Sequence, residues 1–107
     1  MTGLSLKTVY RIISAGERYM LRRSLIINPR DTVAVLLENA EKGDTVETPE
    51  GTIILLDNIE FAHKAAIINH APKQPVFKYG YEIGYTEDAV PRGSWIHNHN
   101  MRCDRGR

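Results

Sequence analysis

Beyond Leu25 the chain never stays apolar for long: short runs rich in β-branched residues are cut by Pro, Gly, Asn or Asp before a helical period can establish itself. Residues 25–27 run into Asn28, Pro29 and Asp31, and residues 32–37 then read as a buried strand. Lys42, Gly43 and Asp44 precede residues 45–47, and Pro49, Glu50 and Gly51 separate these from the run 52–56, which predicts a hairpin. Asp57 and Asn58 end that run, and further short stretches follow at 63–69, 76–79, 81–85 and 94–99. Turn signals spaced about every eight to twelve residues predict a small all-β fold of barrel or sandwich type. No internal repeat or low-complexity tract is visible.

Residues 1–24 have a different texture, with Arg, Ser and scattered apolar side chains, and are compatible with a short amphipathic helix or with disorder. An Arg-rich, acid-poor start also shares features with transit peptides, although a solvated tail is the plainer reading. At 107 residues the chain makes one domain, and so small a core favours building a substrate pocket against a partner. The charge is split: residues 1–30, 31–91 and 92–107 carry +5, −7 and +3. An acidic body argues against nucleic-acid binding, which asks for a basic stripe on the folded domain. No apolar run approaches the ~20 residues of a membrane-spanning helix, and the single cysteine, Cys103, fits a reducing cytoplasm as an inert exposed thiol.

The sharpest chemical feature is His97-Asn98-His99-Asn100. Alternate residues on a strand share a face, so a strand over 94–99 would project His97 and His99 together, able to share a metal or orient an acidic substrate. His63 and Lys64 place an imidazole beside an ammonium suited to a carboxylate, on opposite faces of a regular strand. The plain alternatives are an exposed histidine pair, a solvated Lys64 and a His63 at the sheet edge. His70 falls in a polar turn and receives no role. Gly80, Gly84 and Gly93 read as devices for turns or close strand approach. No phosphate loop, zinc-type cysteine pair or Ser–His–acid signature is present.

Four ordered blocks are Ile27, Asn28, Pro29, Asp31 and Val33 to Val35; His63 to Ala66; Lys78, Tyr79, Gly80, Ile83, Gly84 and Tyr85; and Gly93, Trp95, His97, His99 and Asn100. Over residues 25–101 the chain resembles the SAF domain of the altronate, galactarate and sulfolactate dehydratase family. The resemblance implies a β-clip fold flanked by an N-terminal extension (1–24) and a C-terminal tail (102–107). It implies elimination of water or a related group from a sugar acid or other hydroxy acid, with a divalent metal, typically Fe2+, and with the catalytic bulk on a separate large subunit in some members. His97 and His99 would then face that subunit as metal ligands or substrate contacts, with His63 and Lys64 as further catalytic or substrate-binding candidates. Self-association is compatible with this arrangement. The family pattern has Gly before its His-Lys pair and Pro two residues earlier, where this chain has Ala62 and Glu60, so the turn entering that strand is expected to differ. The competing reading is a stand-alone SAF-type module that binds a carbohydrate or acidic ligand without chemistry, and a purely structural domain is a third.

Overall fold

A computed structural model describes residues 9–14 and 17–103, with side-chain surroundings from residue 20 onward. The described residues form eleven strands and no helix: β1 Val9–Ser14, β2 Glu17–Leu21, β3 Ser24–Leu25, β4 Val33–Leu36, β5 Thr45–Thr48, β6 Gly51–Ile54, β7 Lys64–Ala66, β8 Pro75–Lys78, β9 Tyr81–Thr86, β10 Trp95–Ile96 and β11 Met101–Arg102. Three small sheets result, ordered β1-β2-β5-β6, β10-β7-β4-β3 and β11-β9-β8. The all-β expectation is met, and the predicted hairpin is the pair β5 and β6, closing at Thr48 and Gly51.

The N-terminal stretch departs from expectation. Instead of a helix, β1 and β2 pair antiparallel, from Val9 opposite Leu21 to Ser14 opposite Glu17. Val9, Tyr10, Ile12 and Ile13 are β-formers, and this local preference outweighs the scattered helical spacing. Residues 1–8, 15–16 and 104–107 lie outside the described residues.

The sheet β10-β7-β4-β3 is the central layer, and its register shows why β4 is apolar throughout. Facing residues across a ladder share a face. Ala34, Ala65 and Trp95 therefore point one way, while Val35, Lys64 and Ile96 point the other. On the first face Leu36 and Ala65 meet Val46 and Ile53 of the β5–β6 hairpin. On the second, Val33, Ala66 and Ile96 meet Val76, Ile83 and Met101 of β8, β9 and β11. All four residues of β4 are buried, as a strand covered on both sides requires.

The sequence shows no repeat, yet the structure contains one. Ala40 bridges Ile59, and His70 bridges Val90, each pair exchanging backbone hydrogen bonds. Three residues beyond each bridging residue the chain turns through positive φ, at Gly43 (95°), Ala62 (73°), Lys73 (63°) and Gly93 (97°). The residue before each bridge caps the opposite corner: Asn58 Oδ1 accepts from the Lys42 N–H, Asn39 Oδ1 from Phe61 and Asn69 Oδ1 from Arg92, each at 2.8 Å. The fourth corner needs no cap, because the corresponding residue is Pro72, which has no N–H, and Ala89 stands where the asparagine would be. His70 is thus not in a polar turn. It occupies a bridge position at 2% exposure, equivalent to the buried Ala40 and Ile59.

Two blocks of the sequence pattern close on each other. The Asp31 carboxylate accepts from the N–H groups of Ile27 and Asn28 through Oδ2 and from Gly80 through Oδ1 at 2.7 Å. Burial alone would raise its pKa, but these backbone donors and that of Tyr79 bring it below the ordinary aspartate value. Tyr79 (φ 57°) and Gly80 (φ 84°) form the two-residue turn between β8 and β9. A side chain at Gly80 would strike the Asn28 amide, which ties the Lys78-Tyr79-Gly80 block to Asn28 and Asp31.

Candidate functional site: an imidazole cluster around Trp95

The second positive-φ corner, at Ala62, delivers His63 to the start of β7, and the fourth, at Gly93, delivers Trp95 to the start of β10. A Cβ at Gly93 would collide with the Ile54 carbonyl oxygen, so this corner also seats β10 against the end of β6. Ala62 stands where the family pattern has glycine, and it nevertheless adopts the left-handed conformation that glycine would supply. The left-handed turn is thus made here without glycine, at a local conformational cost.

Trp95 is held at its backbone from both sides. Its N–H donates to Asp57 Oδ2 at 2.9 Å, and its carbonyl accepts from the Asn100 side-chain amide at 2.9 Å. Three imidazoles surround the indole. The His97 ring stacks on it with centroids 5.5 Å apart and an interplanar angle of 11°, His99 lies 4.6 Å away and His63 5.7 Å away. The His63 and His97 centroids are 4.8 Å apart.

The expected strand over 94–99 is not formed. Strand β10 ends at Ile96, and residues 97–100 turn back toward β11. Asn100 causes this: its Oδ1 accepts from the His97 N–H at 2.9 Å, while the His97 carbonyl accepts from the N–H groups of Asn100 and Met101. Strand alternation is thus not what groups His97 and His99; both rings pack on Trp95 from within a tight turn.

The indole N–H is a donor only, so its 3.2 Å hydrogen bond to His63 makes Nδ1 the acceptor. Neutral His63 must then carry its proton on Nε2, which makes it a hydrogen-bond donor there and leaves it no free lone pair for a metal. His97 has the opposite character. Partial burial, then the like charges of Lys64, His63 and His99, lower its pKa and keep its imidazole neutral. Lys64 leaves the central sheet on the face opposite Trp95, as its register predicts, yet its charge is felt at His97. Burial and the charge of Lys78 lower the Lys64 pKa in turn.

Of the four predicted residues, His63, His97 and His99 therefore gather on Trp95, and Lys64 leaves the sheet on the opposite face. Sequence reasoning gave no role to Asp57 and Asn100, which position the indole and the turn, or to Lys78. Among the described residues no group of three or more His, Cys, Asp or Glu side chains is gathered to hold a metal ion. His97 and His99 fit two places of a coordination set. His63, with its Nδ1 engaged, does not.

Fold and site define an all-β module that gathers three imidazoles around one indole. The altronate/galactarate dehydratase SAF domain matches residues 22–104, and the chain belongs to that family. It is 34% identical over 78 residues to the altronate dehydratase of Escherichia coli (strain K12), covering 73% of this chain and 16% of that enzyme. It is 35% identical over 71 residues to the galactarate dehydratase (L-threo-forming) of the same strain, covering 65% and 13%. The altronate dehydratase of Bacillus subtilis (strain 168) is 29% identical over 78 residues, covering 73% and 16%. The chain thus spans 13% to 16% of the length of these relatives.

Proposed function

We propose that this chain is the small subunit of a metal-dependent hydro-lyase that eliminates water from a sugar acid or related hydroxy acid in the cytoplasm, with a separate large subunit carrying the rest of the active site. The observation that supports this most is the imidazole cluster on Trp95, which among the described residues is incomplete as a metal centre.

Elimination next to a carboxylate needs a base for the α-proton, assistance to the departing hydroxyl and positive charge near the enediolate that forms. His63, its Nδ1 engaged by the Trp95 indole, offers Nε2–H as a hydrogen-bond donor to the leaving hydroxyl, whose proton comes from the large subunit or water. Lys64 draws the substrate carboxylate to the surface by charge. His97, kept neutral, and His99 present imidazole nitrogens as two ligands, the remaining ligands and the base coming from the large subunit. A divalent cation held there, Fe2+ by family resemblance, would supply Lewis acidity to the elimination. Asn100 and Asp57 move no proton and fix the geometry.

The test is reconstitution. Co-expression with candidate large subunits, isolation of the complex and assay of altronate and galactarate with ferrous iron should give elimination that requires both chains. Full-rate turnover by either chain alone would refute the division of labour.

A further inference from the structure

The corner that delivers His63 also returns a carboxylate to it. Glu60 opens this corner: the His63 N–H donates to the Glu60 carbonyl at 3.0 Å, and Ala62 completes the turn with its φ of 73°. The closed turn brings the Glu60 side chain back to the imidazole, with Oε1 3.9 Å from His63 Nε2. That is the nitrogen the Trp95 bond leaves protonated, so the donor offered by the cluster has a carboxylate at its side. At 3.9 Å the contact is too long for a hydrogen bond, so Nε2–H stays available and Glu60 acts on its surroundings by charge.

Among the described residues no lysine or arginine lies within ion-pairing distance of Glu60. Its side chain is 83% exposed, against 29% for His63. Asp57, three residues earlier, brings a second carboxylate to the same site, its Oδ2 accepting from the Trp95 N–H. The segment 57–60 therefore gives the imidazole cluster an anionic edge. Proline stands at position 60 in the family pattern and carries no charge, so the carboxylate beside His63 belongs to this chain and is not required by the fold.

We propose that Glu60 is a specificity-determining residue that turns the site toward hydroxy acids with one carboxylate and away from those with two. This rests on the dehydratase reading for the reaction. A six-carbon sugar acid that presents its reacting hydroxyl to His63 Nε2–H has one carboxylate next to the reacting carbons, in altronate and galactarate alike, and its interaction with Glu60 cancels between them. The far end differs, being a hydroxymethyl group in altronate and a second carboxylate in galactarate. That end lies three carbons beyond the one that loses its hydroxyl, within the roughly 10 Å over which charges act at 0.1 M salt. A second carboxylate there meets the charge of Glu60. Repulsion of this kind, without a matching attraction, is how a site rejects a near relative of its substrate. Because Glu60 is exposed, water screens the repulsion and sets the discrimination at roughly three- to tenfold.

The experiment measures the preference between altronate and galactarate in two ways: by binding to the full chain, read by NMR at the His63 ring and the Trp95 indole N–H, and by kcat/KM in the two-chain complex. The native protein should favour altronate. Glu60→Gln should narrow that preference by about three- to tenfold, and Glu60→Lys should carry it further toward galactarate. High salt should narrow the native preference in the same direction, as screening of a surface charge requires. Glu82→Gln, on the strand that covers the opposite face of the central sheet, should leave it unchanged. A native preference for galactarate, or a preference unmoved by both Glu60 variants, would overturn the proposal while elimination by the complex kept the dehydratase reading intact. A preference that shifts as expected in binding, with no turnover by any complex, would keep the role of Glu60 and remove the enzyme assignment. If neither acid is bound by the chain or turned over by the complex, both are overturned.

Discussion

The indole N–H of Trp95 donates to Nδ1 of His63 at 3.2 Å, and this one bond determines which nitrogen of His63 is free to act. Because indole cannot accept, the tautomer is fixed by chemistry. Trp95→Phe keeps an aromatic ring for His97 and His99 but removes the donor. The expected result is a loss of about 1 kcal/mol in unfolding free energy, with the nitrogen chemical shifts of His63 changing from the pure Nε2–H pattern to a mixture of tautomers. Retention of the pure pattern would show that the bond does not set the tautomer.

Asn100 is the residue on which the placement of His97 depends, since one side chain accepts from the His97 N–H and donates to the Trp95 carbonyl. Asn100→Ala should cost about 1–3 kcal/mol of stability and release the 97–100 turn. Nuclear Overhauser contacts between the His97 ring and the Trp95 indole should weaken, while those within the β5–β6 hairpin persist.

Ala62 adopts a φ of 73°, a conformation that disfavours any side chain bearing Cβ. Ala62→Gly should therefore stabilise the domain, by about 1 kcal/mol, despite the greater freedom glycine gives the unfolded chain. Denaturant unfolding measures this directly, and a lower midpoint would contradict the account of this turn.

His70 carries a prediction for pH. Its Nδ1 lies 3.1 Å from the Ile68 carbonyl, which only accepts, so the proton is on Nδ1 and Nε2 is a buried acceptor without a protein partner. Burial lowers its pKa below the ordinary 6.5, although the Ile68 bond acts in the other direction. A depressed folded pKa means that the unfolded state binds the proton first, so stability is complete above about 6.5 and falls as pH drops from there toward the folded pKa. His70→Val should flatten the stability profile across this window in urea titrations between pH 7 and 5. An equally steep profile in the variant would assign the acid sensitivity to other groups.

Much of this structure was legible because short β-branched runs and turn residues are local signals. Strand β4 and the β5–β6 hairpin follow directly from them. His97 and His99 both reach Trp95, but not by the expected strand geometry, because the competing turn depends on Asn100 bonding back three residues, which strand alternation does not represent. The four corners escaped notice since their common element is backbone conformation. Positive φ is met by Gly43 and Gly93 but also by Ala62 and Lys73, and the capping asparagine gives way to Ala89 where Pro72 removes the need. The N-terminal hairpin was hidden by apolar residues spaced in a way that suits either period.

The central claim is that the surface around Trp95 completes a dehydratase active site. The most direct measurement is the rate of altronate and galactarate elimination by the reconstituted two-chain complex, compared with the same complex carrying His97→Gln. The account predicts turnover that requires both chains and falls by about a hundredfold or more when the His97 imidazole is lost, with complex formation unchanged. A complex that keeps its full rate with His97→Gln, or a chain that binds these acids with no large subunit able to turn them over, would contradict it and leave a binding module instead.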